Sequence, residues 1–83
     1  MAYSDFSIAV GIYLKNARIK KGLTQTDVGV QSGHTKSWYV DIERGKNNVY
    51  FNDVQKMCTI LDIDIKDLAD FATNYKKTPK SAA

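Results

Sequence analysis

Residues 34–45, "HTKSWYVDIERG", mix two kinds of side chain in one short stretch. Trp38, Tyr39, Val40 and Ile42 call for a core, whereas Lys36, Ser37, Asp41 and Arg44 call for water or a charged partner. Elsewhere the chemistry-bearing residues do not assemble into a reaction centre. His34 and Cys58 are each the only residue of their kind and stand far apart in sequence, so no metal site is expected. There is no Ser-His-acid set, no pair of carboxylates on a cleft and no glycine-rich phosphate loop, so neither enzymatic activity nor a cofactor is expected. What remains is binding through a polar, partly basic face.

The distribution of charge points the same way. The formal net charge is +3. Residues 1–48 hold seven Lys/Arg against four acids, residues 49–74 hold two lysines against five aspartates, and the tail adds Lys76, Lys77 and Lys80. A basic first half turned toward a polyanion, with an acidic half turned away, suits a small nucleic-acid binder. The 83 residues, 43% hydrophobic and 25% charged, are enough for one folded domain with one core. A single cysteine allows no intrachain disulfide and fits a reducing, cytoplasmic setting. Apolar runs are short and "MAYSDFSIAV" carries no basic leader, so neither a membrane span nor a signal peptide is expected.

Five stretches carry helical periodicity and none alternates like a half-buried strand, which predicts an all-α fold, a compact bundle of five short helices. The first helix runs from about residue 5 to residue 21, with Ser4 or Asp5 as cap, Val10, Leu14 and Ala17 on one stripe, and Gly22 as the stop. Thr24 caps the second, with Asp27 three residues on as a capping box built from the shorter acid; it ends near Gln31 at the turn Ser32-Gly33-His34. Thr35 caps the third, which spans about ten residues before Gly45. The fourth covers about residues 51–61, with Val54, Met57, Cys58 and Leu61 facing a core. Asp64 caps the fifth, with Asp67 at the capping-box position and Leu68 and Phe71 pointing inward. The domain is expected to span residues 1–74, and residues 75–83 are expected to be a basic, disordered tail.

Helices two and three, each opened by a threonine and joined by a short turn containing Gly33, have the signature of a helix-turn-helix. At about 100° per residue, Thr35, Tyr39 and Ile42 fall on one side of helix three with Trp38 at its edge. Lys36, Ser37, Val40, Asp41 and Arg44 fall on the other. The helix is therefore divided by face into an apolar anchor and a mostly polar exterior.

The combination of Arg18, Gly22-Leu23-Thr24-Gln25, Ser32-Gly33, Thr35, Ile42-Glu43-Arg44-Gly45 and the Leu61, Ile63 and Leu68 ending resembles the phage-repressor type of helix-turn-helix, the lambda-repressor/Cro-like domain, over about residues 10–71. The resemblance implies a sequence-specific regulator of transcription. It would be a homodimer on a near-palindromic stretch of double-stranded DNA, repression being the family's usual mode. Helix three corresponds to the recognition helix, which makes Lys36, Ser37, Val40 and Asp41 the base-contacting candidates. Gln25 corresponds to the family's phosphate-binding glutamine. Thr35, Trp38, Arg44, Lys46, Asn47 and Asn48 are the other candidates for backbone contact. The corresponding Arg18 and Glu43 form an ion pair in this family.

Several positions depart from the family pattern. Gly29 stands where alanine is usual, Val49 where proline is frequent, Tyr50 where a serine cap often lies, and His34 where a buried aliphatic is usual. Asp41 either accepts from cytosine or is held by a cation such as Arg44. Trp38 either packs beside helix two or turns its indole N–H to a phosphate. Together with Val30, expected to be exposed, these two residues also suit an alternative in which the fold serves as a protein-interaction module with a protein partner and little DNA reading.

Overall fold

The computed structural model describes residues 5–46 and 49–75, which form α1 (Asp5–Lys21), α2 (Gln25–Gln31), α3 (Lys36–Glu43), α4 (Phe51–Leu61) and α5 (Ile65–Asn74), with no strand among the described residues. Ser4, Asn47, Asn48 and the tail lysines lie outside them. Three of the helices, α2, α3 and α5, begin at a residue whose side chain accepts from an otherwise unpaired amide of the first turn.

At the start of α2 the capping box is complete: Thr24 Oγ1 accepts from the Asp27 amide at 3.0 Å, and Asp27 Oδ2 accepts from the Thr24 amide at 2.9 Å. The backbone bond from Thr24, then its side-chain bond, holds the Asp27 carboxyl below its ordinary range. At α3, Thr35 Oγ1 accepts from the Trp38 amide at 3.1 Å. Helix α4 opens at Tyr50 without a side-chain cap and closes with Asp62 in the left-handed region. Helix α5 corrects an expectation. The Asp64 carboxylate turns to the Lys66 amide at 2.8 Å, one residue short of Asp67, and no reciprocal bond completes a capping box.

The core is built from Ala9, Val10 and Leu14 of α1, Val28 of α2, Tyr39 and Ile42 of α3, Met57, Cys58 and Leu61 of α4, and Leu68 and Ala72 of α5. Burying each of the larger side chains stabilises the fold by about 1.5–3 kcal/mol. Helix α1 is the hub, packing on α5, α3 and α4, while α2 packs chiefly on α3. Phe71, expected inward, is 37% exposed. The buried stripe of α5 pairs Leu68 with Ala72, four residues on, and Phe71 lies to one side, tilted against Tyr13 of α1 at 5.3 Å and Tyr75 at 5.9 Å. Tyr75, placed with the tail on sequence grounds, is partly buried against this core.

Two helix–helix contacts depend on glycine. A Cβ at Gly11 would stand 2.5 Å from the carbonyl oxygens of both Ile42 and Glu43, and one at Gly29 would collide with the Thr35 carbonyl. The last turn of α3 therefore lies directly on α1, and its first turn directly on α2. The sequence marked Gly29 only as a departure from the family's usual alanine, and Gly11, in the middle of a long helix, was not singled out.

Candidate nucleic-acid interface

Helix α3 is fixed from its inner side. Tyr39 is fully buried and Ile42 nearly so, as their direction on the helix required. Arg18 reaches from α1 to Glu43 at the last turn: Nε donates to Oε2 at 2.6 Å, Nη2 donates to Oε1 at 3.3 Å, and Nη1 donates to the Leu23 carbonyl at 3.0 Å. This forked geometry suits a partly buried pair, with side-chain exposures of 13% and 5%. Burial raises the Glu43 carboxyl, but the bond from Arg18, with Tyr39 and Gln25 beside it, outweighs that and leaves its pKa below the usual glutamate range. The same bond to Glu43 raises the Arg18 guanidinium. The Tyr39 hydroxyl lies buried beside this pair without meeting hydrogen-bond geometry, and desolvation, then Glu43, pushes its pKa far up.

The outer side of α3 is divided. Lys36, Ser37 and Arg44 are exposed. Val40 and Asp41, read from the sequence as fully outward, are only half-exposed. The cation that holds Asp41 is Lys46, with Nζ 3.7 Å from Oδ1, and not Arg44. The physical reason is the path of the chain. It turns back at Gly45, and the Lys46 amide donates to the Asp41 carbonyl at 2.9 Å, which brings Lys46 over the helix end. Arg44, as the C-cap, is left facing solvent without an ion pair among the described residues.

The remaining predicted residues fall as follows. Gln25 does not extend freely into solvent; its Nε2 donates to Glu43 Oε1 at 3.0 Å, joining the start of α2 to the ion pair. Thr35, grouped with the inward residues of α3, is exposed, because its side chain is the cap and only its carbonyl packs inward against Gly29. Trp38 is partly buried against the core. Its ring is also covered by His34, stacked with 3.7 Å between centroids and 9° between planes.

Residues 9–71 match the helix-turn-helix domain family. The chain belongs to this family. No curated protein sequence matches it significantly. Among solved structures, the restriction-modification controller protein C.AhdI from Aeromonas hydrophila is 34% identical over 74% of this chain and 88% of that one, with a TM-score of 0.69. The clp gene regulator ClgR from Corynebacterium glutamicum is 24% identical over 82% of this chain and 72% of that one, at 0.78. The wild-type restriction-modification controller protein C.Esp1396I is 21% identical over 84% and 91%, at 0.73. The last two likenesses bear on the fold alone. In this helix-turn-helix domain α2 is the first helix of the motif and α3 the second.

Sequence reading missed two partners of that helix: Gly11, which lets α1 receive its end, and Asp53 of α4, whose Oδ1 lies 3.0 Å from His34 Nε2. For Gly11 a signal existed, since an unforced glycine inside a helix costs about 1 kcal/mol and calls for a reason. For Asp53 none did.

Proposed function

We propose that this helix-turn-helix protein is a sequence-specific DNA-binding regulator of transcription that works in the cytoplasm as a homodimer. Each copy lays α3 in the major groove of one half of a near-palindromic operator, with half-site centres about 34 Å apart. Repression follows when the occupied operator lies where transcription begins. The observation that carries this reading is the division of α3: its inner face is locked by Tyr39, Ile42 and Glu43, while Lys36, Ser37 and Arg44 stand exposed.

Lys36 suits guanine O6 and N7, Ser37 several bases, the edge of Val40 a thymine methyl, and Asp41 cytosine N4 once Lys46 has moved to a phosphate. Arg44, Lys46, Asn47 and Asn48 supply backbone contacts after α3, Thr35 and the Trp38 indole N–H supply them at its start, and Gln25 supplies one from the start of α2. Gln25 keeps its second amide hydrogen for a phosphate while the first holds Glu43. No described helix is long and apolar enough to cross a membrane.

A second reading, a protein-interaction module on the same fold, is favoured by exposed apolar residues: Val30 at 60%, Phe51 at 65% and Tyr50 at 76%. A salt titration on mixed-sequence duplex DNA separates the two. The regulator binds with a steep negative dependence on salt, whereas a pure interaction module shows no binding. With an operator selected from a random library, Lys36→Ala and Ser37→Ala shift base preference by about 1–3 kcal/mol. Unchanged preference in both variants would remove α3 from the role of reader.

A further inference from the structure

The core stripe of α1 runs past the helices that cover it. Val10 and Leu14 are buried, but Ala17, next on the same stripe, is only partly buried, and Lys21, one turn further on, is exposed. A groove of about 550 Å³ lies here, between the second half of α1, the turn from α4 to α5, and Phe71 of α5. Its apolar lining comes from Ala17, Leu61 and Ile63 and from the tilted ring pair of Tyr13 and Phe71. Because Ala17 ends at its Cβ, the space above it stays open. The 37% exposure of Phe71 belongs to a ring that borders this groove.

Two features set its chemistry. Along α1 the apolar lining ends at Lys20 and Lys21, both exposed, and neither makes an ion pair among the described residues. One acid, Asp62, also borders the groove, but it stands on the ridge shared with the next hollow, beyond the turn from α4 to α5, and it pairs with neither lysine. From Tyr13 to Lys20 the helix rises about 10 Å, the length of an extended chain of about eight carbons.

We propose that this groove binds a medium-chain fatty acid, its carboxylate held by Lys20 and Lys21 and its alkyl chain laid over Ala17 toward Tyr13 and Phe71. Apolar walls with a few convergent polar groups are the usual build of a small-molecule site, and the volume is of the usual size. Moving the chain from water onto those walls supplies affinity, and the lysines select an anion. Their stems cover apolar surface while their ammonium groups stay at the rim, where a carboxylate keeps part of its hydration. A second copy seated here by two-fold symmetry fits less well, because both pairs of lysines would meet and repel.

The test titrates octanoate into the full chain and follows the backbone amides by NMR, with octan-1-ol as the neutral probe of equal chain length. In the wild type the shifts gather at residues 13–21, 61–63 and Phe71. Octanoate binds about fivefold more tightly than octan-1-ol, the effect of two exposed charge pairs, and the double variant Lys20→Gln, Lys21→Gln removes that advantage. Asp62→Asn, which suits the left-handed backbone there, tightens octanoate about twofold and leaves octan-1-ol unchanged. Ala17→Leu fills the groove and abolishes binding of both probes. Should that variant not fold, the lysine variant, altered only at exposed positions, decides the matter. Equal binding of octanoate and octan-1-ol, unchanged octanoate affinity in the lysine variant, or no octanoate binding by the wild type overturns the proposal. The same groove shifts appearing without probe as protein concentration rises would overturn it in favour of a second copy.

Discussion

At its C-terminal end α3 is held by a forked, mostly buried ion pair and by backbone packed against Gly11; at its N-terminal end it is held by a threonine cap and a partly exposed His-Trp-Asp clasp. The first arrangement is stiff, because separating Arg18 from Glu43 strands a charge in a place that water reaches poorly. The second exchanges its bonds with water at modest cost. The contrast suits the reading role proposed for α3, a helix anchored at one end and adjustable where Lys36 and Ser37 stand.

The largest effect is expected at the anchored end. Arg18→Met leaves the Glu43 carboxylate without its cation and should destabilise the fold by about 3 kcal/mol, read from the midpoint of urea unfolding. Replacing Glu43 by Met as well should recover most of that loss, because no charge is then left buried; failure to recover would mean that the pair acts through packing. Gly11→Ala should cost about 2 kcal/mol by the same measurement, since the new methyl meets two carbonyls of α3 and the gain in helix propensity is smaller than the strain.

Acid should weaken the same end. The folded pKa of Glu43 lies below its ordinary value of 4.5. Its contribution to stability is therefore fully present above that pH and is lost as pH falls through the folded value. Thermal unfolding from neutral pH down into this acidic window should show a steeper loss in the wild type than in Glu43→Gln.

At the adjustable end, Thr35→Ala should cost about 1 kcal/mol and speed amide exchange in the first turn of α3 while leaving its last turn protected. The smallest effect belongs to Lys46→Ala. Its pairing with Asp41 is long and exposed, so unfolding should change by less than about 0.5 kcal/mol. A larger change would show that the loop after α3 stiffens the helix end more than the ion-pair geometry suggests.

Much of this contrast could be read in the one-dimensional pattern. The ends of α1 and α4, the threonine caps, the capping box at Thr24 and Asp27, and the inward direction of Tyr39 and Ile42 depend on residues within one or two turns of each other. Phe71 was misplaced because periodicity fixes the angle of a side chain on its own helix but not how far the neighbouring helix covers it. The sequence left Asp41 open between reading cytosine and pairing with a cation, and helical spacing offered Arg44 for the second, whereas the turn at Gly45 brings Lys46 nearer.

By itself the sequence determined the five helices, the two faces of α3 and the family, since local hydrogen bonding, side-chain periodicity and a spaced set of residues suffice for these. Only the tertiary structure decided that Gly11 receives the end of α3, that Gln25 is joined to Glu43, and that Trp38 is covered by His34 while Asp53 holds the imidazole. Those contacts join residues 18 to 32 positions apart, apart from the His34–Trp38 stack, whose geometry depends on how the turn is held against α4. Such pairings arise from the packing of whole helices, and no rule of local spacing specifies them.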